Sequence, residues 1–579
     1  MVPVLIYCKI DILDYNTFLN WRGNRAEMDL FSYYKVHFTI LMTFIAFIIY
    51  MINRKNINGI KKAKEYKWML LFFICILISF ILSDYKEIAL HGFVFRYEGI
   101  VLLISYLFIL YFTINIFDYE IDQKRVLIAL MIPYVIISIV GILQYLNSDI
   151  ITTEFVQKLI IPREHEYLVG TLKGSTKANQ KVAGLIGNSN YFGQYYAIIL
   201  PIFIVMSIYS EEKKYKVIYG IMSFIGVLMT IISLSETGMI SVFITGIILL
   251  LLNIKSIFKK SNKKILIIGS SLILIVAFVE IAFKGPIYNK VDDIIQEIKY
   301  EITAAEEKIL IQKISLNDNR VNIKYKNREI NIVYYNDDNS AIVKNSDGMI
   351  LHKEFDVGKR DIVTNLDERE IKVGFKEHKY SQGKMIYIGI GNSIQFKLVI
   401  DDGKFKFMNS AGNIIEQDGN IDIAFGEGNE EVLTSRVYIW SRAIPKIMEK
   451  PFFGYGADTF EVVFPNHDYA GLYKAYNRSK IIVDKPHNMY IGIASNLGII
   501  ALIAFLAINF IYIKNSLLAI KMQGIKNSED IYRMGILLCI ITYLISGIMY
   551  DSNIVSTSIY YILLGIGINM NYKYEKNKI

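Results

Sequence analysis

The chain has 579 residues, 53% of them hydrophobic and 20% charged, with a formal net charge of +9. The apolar residues come in blocks, several reaching the roughly 18 to 20 residues that cross a bilayer, and this excludes a string of soluble domains. The three cysteines, Cys8, Cys75 and Cys539, lie far apart and form neither a metal-binding spacing nor a disulfide framework.

These blocks predict an all-α polytopic membrane protein carrying a small inserted β domain. The segment Met1 to Leu30 is no signal peptide, since no basic residue precedes its short apolar scrap. It reads as the outer end of a span that begins ahead of Met1. Spans are then expected at 31–52, 68–83, 99–117, 126–146, 190–209, 217–234, 237–254, 264–283, 488–513, 533–549 and 555–571. That makes about eleven, and twelve with a helix ahead of Met1.

The basic residues alternate by side. The stretch 53–67 holds six Lys and Arg, 118–125 two, 210–216 three, 253–264 five, 514–533 four, and the tail after Tyr572 three. The short loops between them are poor, with two in 84–98 and none in 550–554. Basic loops stay cytoplasmic, so 84–98, 147–189 and 284–487 are expected outside the cell membrane. The positive charge is thereby spent on topology and implies no nucleic-acid partner.

The domains expected are membrane helices over 1–283, an amphipathic helix over 284–315, and an extracytoplasmic β domain over 316–430. An outer loop with an amphipathic helix follows over 431–487, then the last membrane helices over 488–579. Period-two stretches such as "VNIKYKNREINIVYY" and turns such as Asp401-Asp402-Gly403 mark the β domain. No nucleotide-binding loop and no HExxH occurs. No metal or other cofactor is expected.

Chemistry then rests on polar groups near helix mouths. Four clusters stand out in chain order: "HGFVFRYEGI" (91–100) with Arg96, "GLIGNSNYFGQYYAIILP" (184–201) with Asn188 and Asn190, "TSRVYIWSRAIPKIMEKPFFGYGADTF" (434–460) with Arg436, and "KPHNMYIGIASNLGIIALIAFLAI" (485–508) with His487 and Asn488. Read singly, each has a plain role: Arg96 as an interfacial anchor, the asparagines as helix caps, Arg436 in a surface pair, His487 at the lipid boundary. Read together, two guanidiniums suit a pyrophosphate and a neutral histidine suits removal of a proton from an attacking hydroxyl.

In this order the clusters resemble the O-antigen ligase and polymerase superfamily of bacterial membrane glycosyltransferases. The most specific part runs from Arg436 through "EKPFFGYGADTF" to "PHNMYIGIASNLG", including His487 followed ten residues later by Gly498. The resemblance implies a GT-C-like, metal-independent, inverting enzyme of the inner membrane that serves cell-surface polysaccharide synthesis. It takes an undecaprenyl-pyrophosphate-linked oligosaccharide and either polymerises it or ligates it to a glycan or other hydroxyl acceptor. It implies His487 as base, Arg436 as pyrophosphate ligand, and Arg96, Asn488, Asn188 and Asn190 at the substrate. One departure stands out. Where ligases carry a further arginine, this chain reads "SLSETGMISV" (233–242) with Glu236, so either Arg96 or another cation serves, or the acceptor geometry differs. Two alternatives remain open at this point: a transporter or flippase of the same lipid-linked glycan, and a non-catalytic membrane scaffold.

Overall fold

The computed structural model describes residues 2–12, 26–53, 61–172, 182–252, the strands between 311 and 415, and residues 421–476, 481–523 and 527–578. The span expected at 264–283, and the amphipathic helix expected at 284–315 up to residue 310, lie outside them.

The chain opens with a 3-10 turn, Val2–Val4, and an antiparallel hairpin of β1 (Lys9–Ile12) and β2 (Ala26–Asp29). Asp29 then caps the first helix, its Oδ2 accepting from Ser32 N at 2.9 Å and Tyr33 N at 2.8 Å. The helices before the β domain are α1 (Tyr33–Asn53), α2 (Tyr66–Leu82), α3 (Lys86–His91), α4 (Ile100–Ile116), α5 (Tyr119–Tyr145), α6 (Glu154–Ile160), α7 (Ser189–Tyr209), α8 (Lys213–Ile232) and α9 (Glu236–Leu252). After it come α10 (Arg436–Glu449), α11 (Phe460–Val463), α12 (Tyr469–Tyr476), α13 (Met489–Leu497), α14 (Ile499–Gln523), α15 (Ser528–Ser546) and α16 (Ile554–Lys578).

Among the described residues six helices are long and apolar enough to cross a membrane: α1, α5, α7, α8, α14 and α16. Helices α2, α4 and α9 are apolar but shorter. The molecule is a polytopic membrane protein. Helix α15 carries Glu529, Asp530 and Arg533 in its first turns, where Arg533 bonds Asp530 at 2.8 Å and is buried with it. Helices α7 and α16 are buried almost all round, as apolar helices at the centre of a bundle must be. Outer helices instead turn Phe44, Leu70, Phe224 and Phe510 outward, the face lipid requires. Buried hydroxyls satisfy themselves locally, for example Thr43 on the Thr39 carbonyl at 2.8 Å, or between helices, as Thr245 with Thr542 at 2.8 Å.

The span expected at 488–513 is two helices, not one. Gly498 adopts φ +90° and breaks the run between α13 and α14, a conformation that only glycine takes readily. A Cβ there would strike the Phe452 carbonyl, while Ile499 N donates to the Pro451 carbonyl at 2.7 Å. Tyr455 N and Gly456 N donate likewise to the Ser495 and Asn496 carbonyls, at 3.0 and 2.9 Å. The loop after α10 is thus stitched to the break by backbone alone.

Between these halves stand two antiparallel sheets. One has the order β3-β4-β5-β6-β7 over Ile311–Asn317, Arg320–Tyr325, Arg328–Tyr335, Ser340–Asn345 and Ile350–His352. The other has the order β13-β12-β11-β10-β9-β8, from β8 (Thr364–Asn365) through β9 (Ile371–Glu377), β10 (Lys384–Ile390), β11 (Ser393–Asp401) and β12 (Lys404–Met408) to β13 (Ile414–Ile415). The first strand begins at Ile311, inside the segment expected to be helical up to 315. Alternation of apolar and polar residues buries Val321 and Ile323 on one face and Phe405 and Phe407 on another.

Candidate active site

The basic segments collect at one end of the bundle: Lys61 Nζ donates to the Ile114 carbonyl at 3.0 Å and Lys573 sits 3.5 Å from Asp118. The four motif clusters collect at the other end.

A tight turn between α3 and α4 presents Arg96 and Glu98. It is closed by Gly92, whose φ of +86° leaves no room for a Cβ against the Tyr97 backbone. Asp458 pins it from the far side of the sequence. One carboxylate oxygen accepts from Arg96 Nε at 2.6 Å, the other from Phe93 N at 2.6 Å and Glu98 N at 3.2 Å. Arg96 Nη1 also donates to the Asp484 carbonyl. Burial alone would lower the Arg96 pKa, but the charges of Asp458, Asp484 and Glu461 more than offset it and hold the guanidinium ionised. Burial pushes the Glu98 carboxyl up to about 7, against the opposing hydrogen bond from Ser552.

His487 lies at the start of α13 with φ 50°, a left-handed value costly for a residue with a Cβ. Trp440 of α10 donates its indole N–H to the Pro486 carbonyl at 2.9 Å, which seats this turn. The imidazole Nδ1 lies 3.2 Å from Oδ2 of the buried Asp551. Lys485 donates to the Tyr191 hydroxyl at 2.9 Å. Burial would lower its pKa, yet Tyr191, Asp484 and Asp551 together keep the ammonium above its ordinary value.

Arg436 opens α10 after three successive left-handed residues, Leu433, Thr434 and Ser435, at φ 54°, 57° and 64°. Its Nη1 donates to the Leu433 carbonyl at 3.1 Å and its Nη2 to the Met549 carbonyl at 3.3 Å, while its buried Nε has no partner among the described residues.

One short segment, between α15 and α16, gathers all of this. Met549 meets Arg436, and the Tyr550 hydroxyl bonds Ser235 at the mouth of α9 at 2.7 Å. Asp551 meets His487, Ser552 donates to Glu98, and Asn553 donates to Gln194 of α7 at 2.7 Å. In the sequence, 550–554 is marked only by its lack of Lys and Arg, which leaves Asp551 without a signal. Nothing local marks it, because its partner is 64 residues away in the chain.

The structure therefore brings Arg96, Arg436 and His487 to one end, joined by Lys485, Asp458 and Asp551. The asparagines serve the helices. Asn188 Oδ1 accepts from Asn190 N and Tyr191 N at 2.9 and 3.2 Å, and Asn488 Oδ1 accepts from Tyr490 N and Ile491 N at 2.9 and 3.0 Å. Asn190 enters this pattern through its backbone. Glu236 opens α9 next to Ser235 and so stands beside the same segment. A cavity of about 90 Å³ is polar where Arg96, Asp458, Lys485 and Asp551 line it and apolar where Phe72, Leu103 and Phe505 do. No group of three His, Cys, Asp or Glu side chains among the described residues has the arrangement to hold a metal ion.

Residues 391–506 match the family model described as O-antigen ligase, and over that stretch, which holds Arg436, Asp458 and His487, the resemblance to the O-antigen ligase and polymerase superfamily is established. The match begins inside the β insertion, between β10 and β11. No curated protein matches the chain.

Proposed function

We propose that the protein polymerises or ligates undecaprenyl-pyrophosphate-linked oligosaccharide at the extracytoplasmic face of the cell membrane, building a cell-surface polysaccharide. The observation that carries this reading is the 3.2 Å approach of Asp551 to Nδ1 of His487, a residue inside the family-matched stretch. A carboxylate on one ring nitrogen leaves the other, Nε2, free to accept a proton and stabilises the imidazolium that results.

The step is an inverting displacement. Nε2 of His487 takes the proton of an acceptor hydroxyl as its oxygen bonds the anomeric carbon. The bond from that carbon to the phosphate oxygen breaks, and the pyrophosphate leaves with the electron pair. Arg436, with its unpartnered Nε, is the cation we assign to the leaving group. Arg96 is one candidate to stand in for the arginine absent at Glu236. Its pairing with Asp458 and Asp484 instead matches its charge within the protein.

The test is His487→Ala in cells, with membrane accumulation checked alongside. Loss of polymer with build-up of lipid-linked units is expected, and normal transfer by this variant would sink the reading. A transporter would move the lipid-linked sugar without making a new glycosidic bond, so product analysis separates the two.

A further inference from the structure

Several buried polar atoms on residues that line the cavity at the site end have no hydrogen-bond partner among the described residues: Arg96 Nη2, Glu98 Oε1, both carboxylate oxygens of Asp551 and Asn496 Oδ1. Arg96 Nη2 and Glu98 Oε1 are a donor and an acceptor carried on one turn. The rest of each side chain is taken. Nε and Nη1 of Arg96 serve Asp458 and the Asp484 carbonyl, and Oε2 of Glu98 accepts from the Ser552 hydroxyl. Arg96, Glu98 and Ser552 form a wall shared by two cavities. One, of about 90 Å³, reaches Lys485 and Asp551; the other, of about 30 Å³, is bounded by Phe31, Ile186 and Tyr191.

Folded proteins rarely leave a buried charged donor and acceptor unsatisfied, because each forfeits its hydration without return. A ligand is the natural partner, and its chemistry follows from the wall. Phosphate fits poorly. The carboxylates of Asp458 and Asp551 flank the spot, Glu98 itself is acidic, and the Arg96 charge is already matched. A neutral sugar ring fits well, since neighbouring hydroxyls each donate and accept, and so answer one orphan acceptor and one orphan donor on the same turn. Tyr106, Phe460 and Tyr561 lend the larger cavity the aromatic surface that ring C–H groups favour.

We infer that Arg96 Nη2 and Glu98 Oε1 form a sugar-binding subsite, gripping adjacent hydroxyls of an uncharged glycan ring beside the His487–Asp551 pair. The subsite rests on the glycosyl-transfer reading only for which glycan occupies it. Burial keeps the Glu98 carboxyl near neutrality, so it accepts from one hydroxyl when ionised and donates to another when protonated.

The test uses the full chain in lipid nanodiscs, carrying His487→Ala so that nothing turns over. Saturation-transfer NMR is run with methyl glucoside, galactoside, mannoside and N-acetylglucosaminide, and separately with inorganic pyrophosphate. At least one glycoside is expected to bind. Glu98→Leu and Arg96→Lys should each weaken it about tenfold, and Glu98→Gln, which keeps an acceptor oxygen, about threefold. Pyrophosphate should be indifferent to both Glu98 changes. If Glu98→Leu does not fold, the Gln variant decides, as it keeps the shape of the side chain. Failure of every glycoside to bind, unchanged glycoside affinity in the folded Glu98 variants, or an Arg96→Lys loss confined to pyrophosphate would each overturn the subsite. Transfer in cells is read independently. Transfer without Glu98-dependent sugar binding removes the subsite and leaves the enzyme, whereas sugar binding without any transfer removes the enzyme and leaves the subsite.

Discussion

The two ends of the helical bundle use cations in opposite ways. At the end that holds Lys61, Arg125 and Lys573, Arg125 is 74% exposed and its only described ion pair is Asp122, 3.2 Å away on its own helix, although Arg533 is buried there with Asp530. At the other end Lys446 and Lys450 are 35% and 36% exposed, but Arg96 and Lys485 are enclosed. The Arg96 side chain is 10% exposed and Lys485 16%, and each is held by a carboxylate or hydroxyl supplied by a distant part of the chain. On the proposed reading, number of charges orients the molecule at one end and placement of charges serves the reaction at the other. A count of Lys and Arg along the sequence registers the first kind and passes over the second.

The comparison breaks most sharply at His487. His487→Ala is expected to cost about 10²–10⁴-fold in transfer at unchanged membrane accumulation, the range a positioned base supplies. Asp551→Asn should fall in the lower part of the same range, measured as polymer formed per molecule of enzyme, because the imidazolium loses its counter-charge while the side chain keeps its shape. Equal activity in Asp551→Asn would mean that the 3.2 Å approach is incidental.

Arg436→Lys comes next, at roughly tenfold, since lysine keeps the charge but loses the planar fork that meets two phosphate oxygens at once. The corresponding readout is donor affinity, and a Lys variant that binds donor normally would reduce Arg436 to an anchor on Met549.

Smaller again is a stability effect at Glu98. Its carboxyl, raised from 4.5 to about 7, carries a proton in the folded chain through a window where the unfolded chain has lost it. Stability contributed by this group is therefore complete below about 4.5 and lost as pH rises through about 7. Thermal melts should show Glu98→Gln losing less stability than the parent over that interval. Matching slopes would place the titration elsewhere.

Smallest is Arg125→Gln at the end that holds Lys61 and Lys573. An exposed pair contributes little, so activity should stay within about twofold and stability within about 0.5 kcal/mol. A large loss there would erase the distinction between the ends.

Much of this was legible in the sequence, and the rest fails for identifiable reasons. Apolar blocks mark helices because every span must hide its backbone, so α1, α5, α7 and α8 fall within a few residues of the 31–52, 126–146, 190–209 and 217–234 expected, except that α5 starts early at Tyr119. His487 and Arg436 were legible through the pattern around them. Asp458 sat unmarked in a quoted motif, because pinning a turn through backbone N–H groups has no signature of its own. Asp551 was invisible, since the bend that delivers it exists only once α15 and α16 are packed. The break at Gly498 was missed because a single glycine inside a long apolar run does not lower its hydropathy.

That break carries a consequence for which substitutions the chain can tolerate. The contacts that lock Pro451–Gly456 to Ser495–Ile499 run from amide to carbonyl, and Phe452 between them is 65% exposed. The stitch itself is made without side chains, though Tyr455, Ser495 and Leu497 beside it are buried, and Gly454, Gly456 and Gly498 leave no room for a Cβ. In a saturation library across both stretches, we expect the glycines to tolerate nothing and Phe452 to accept most residues.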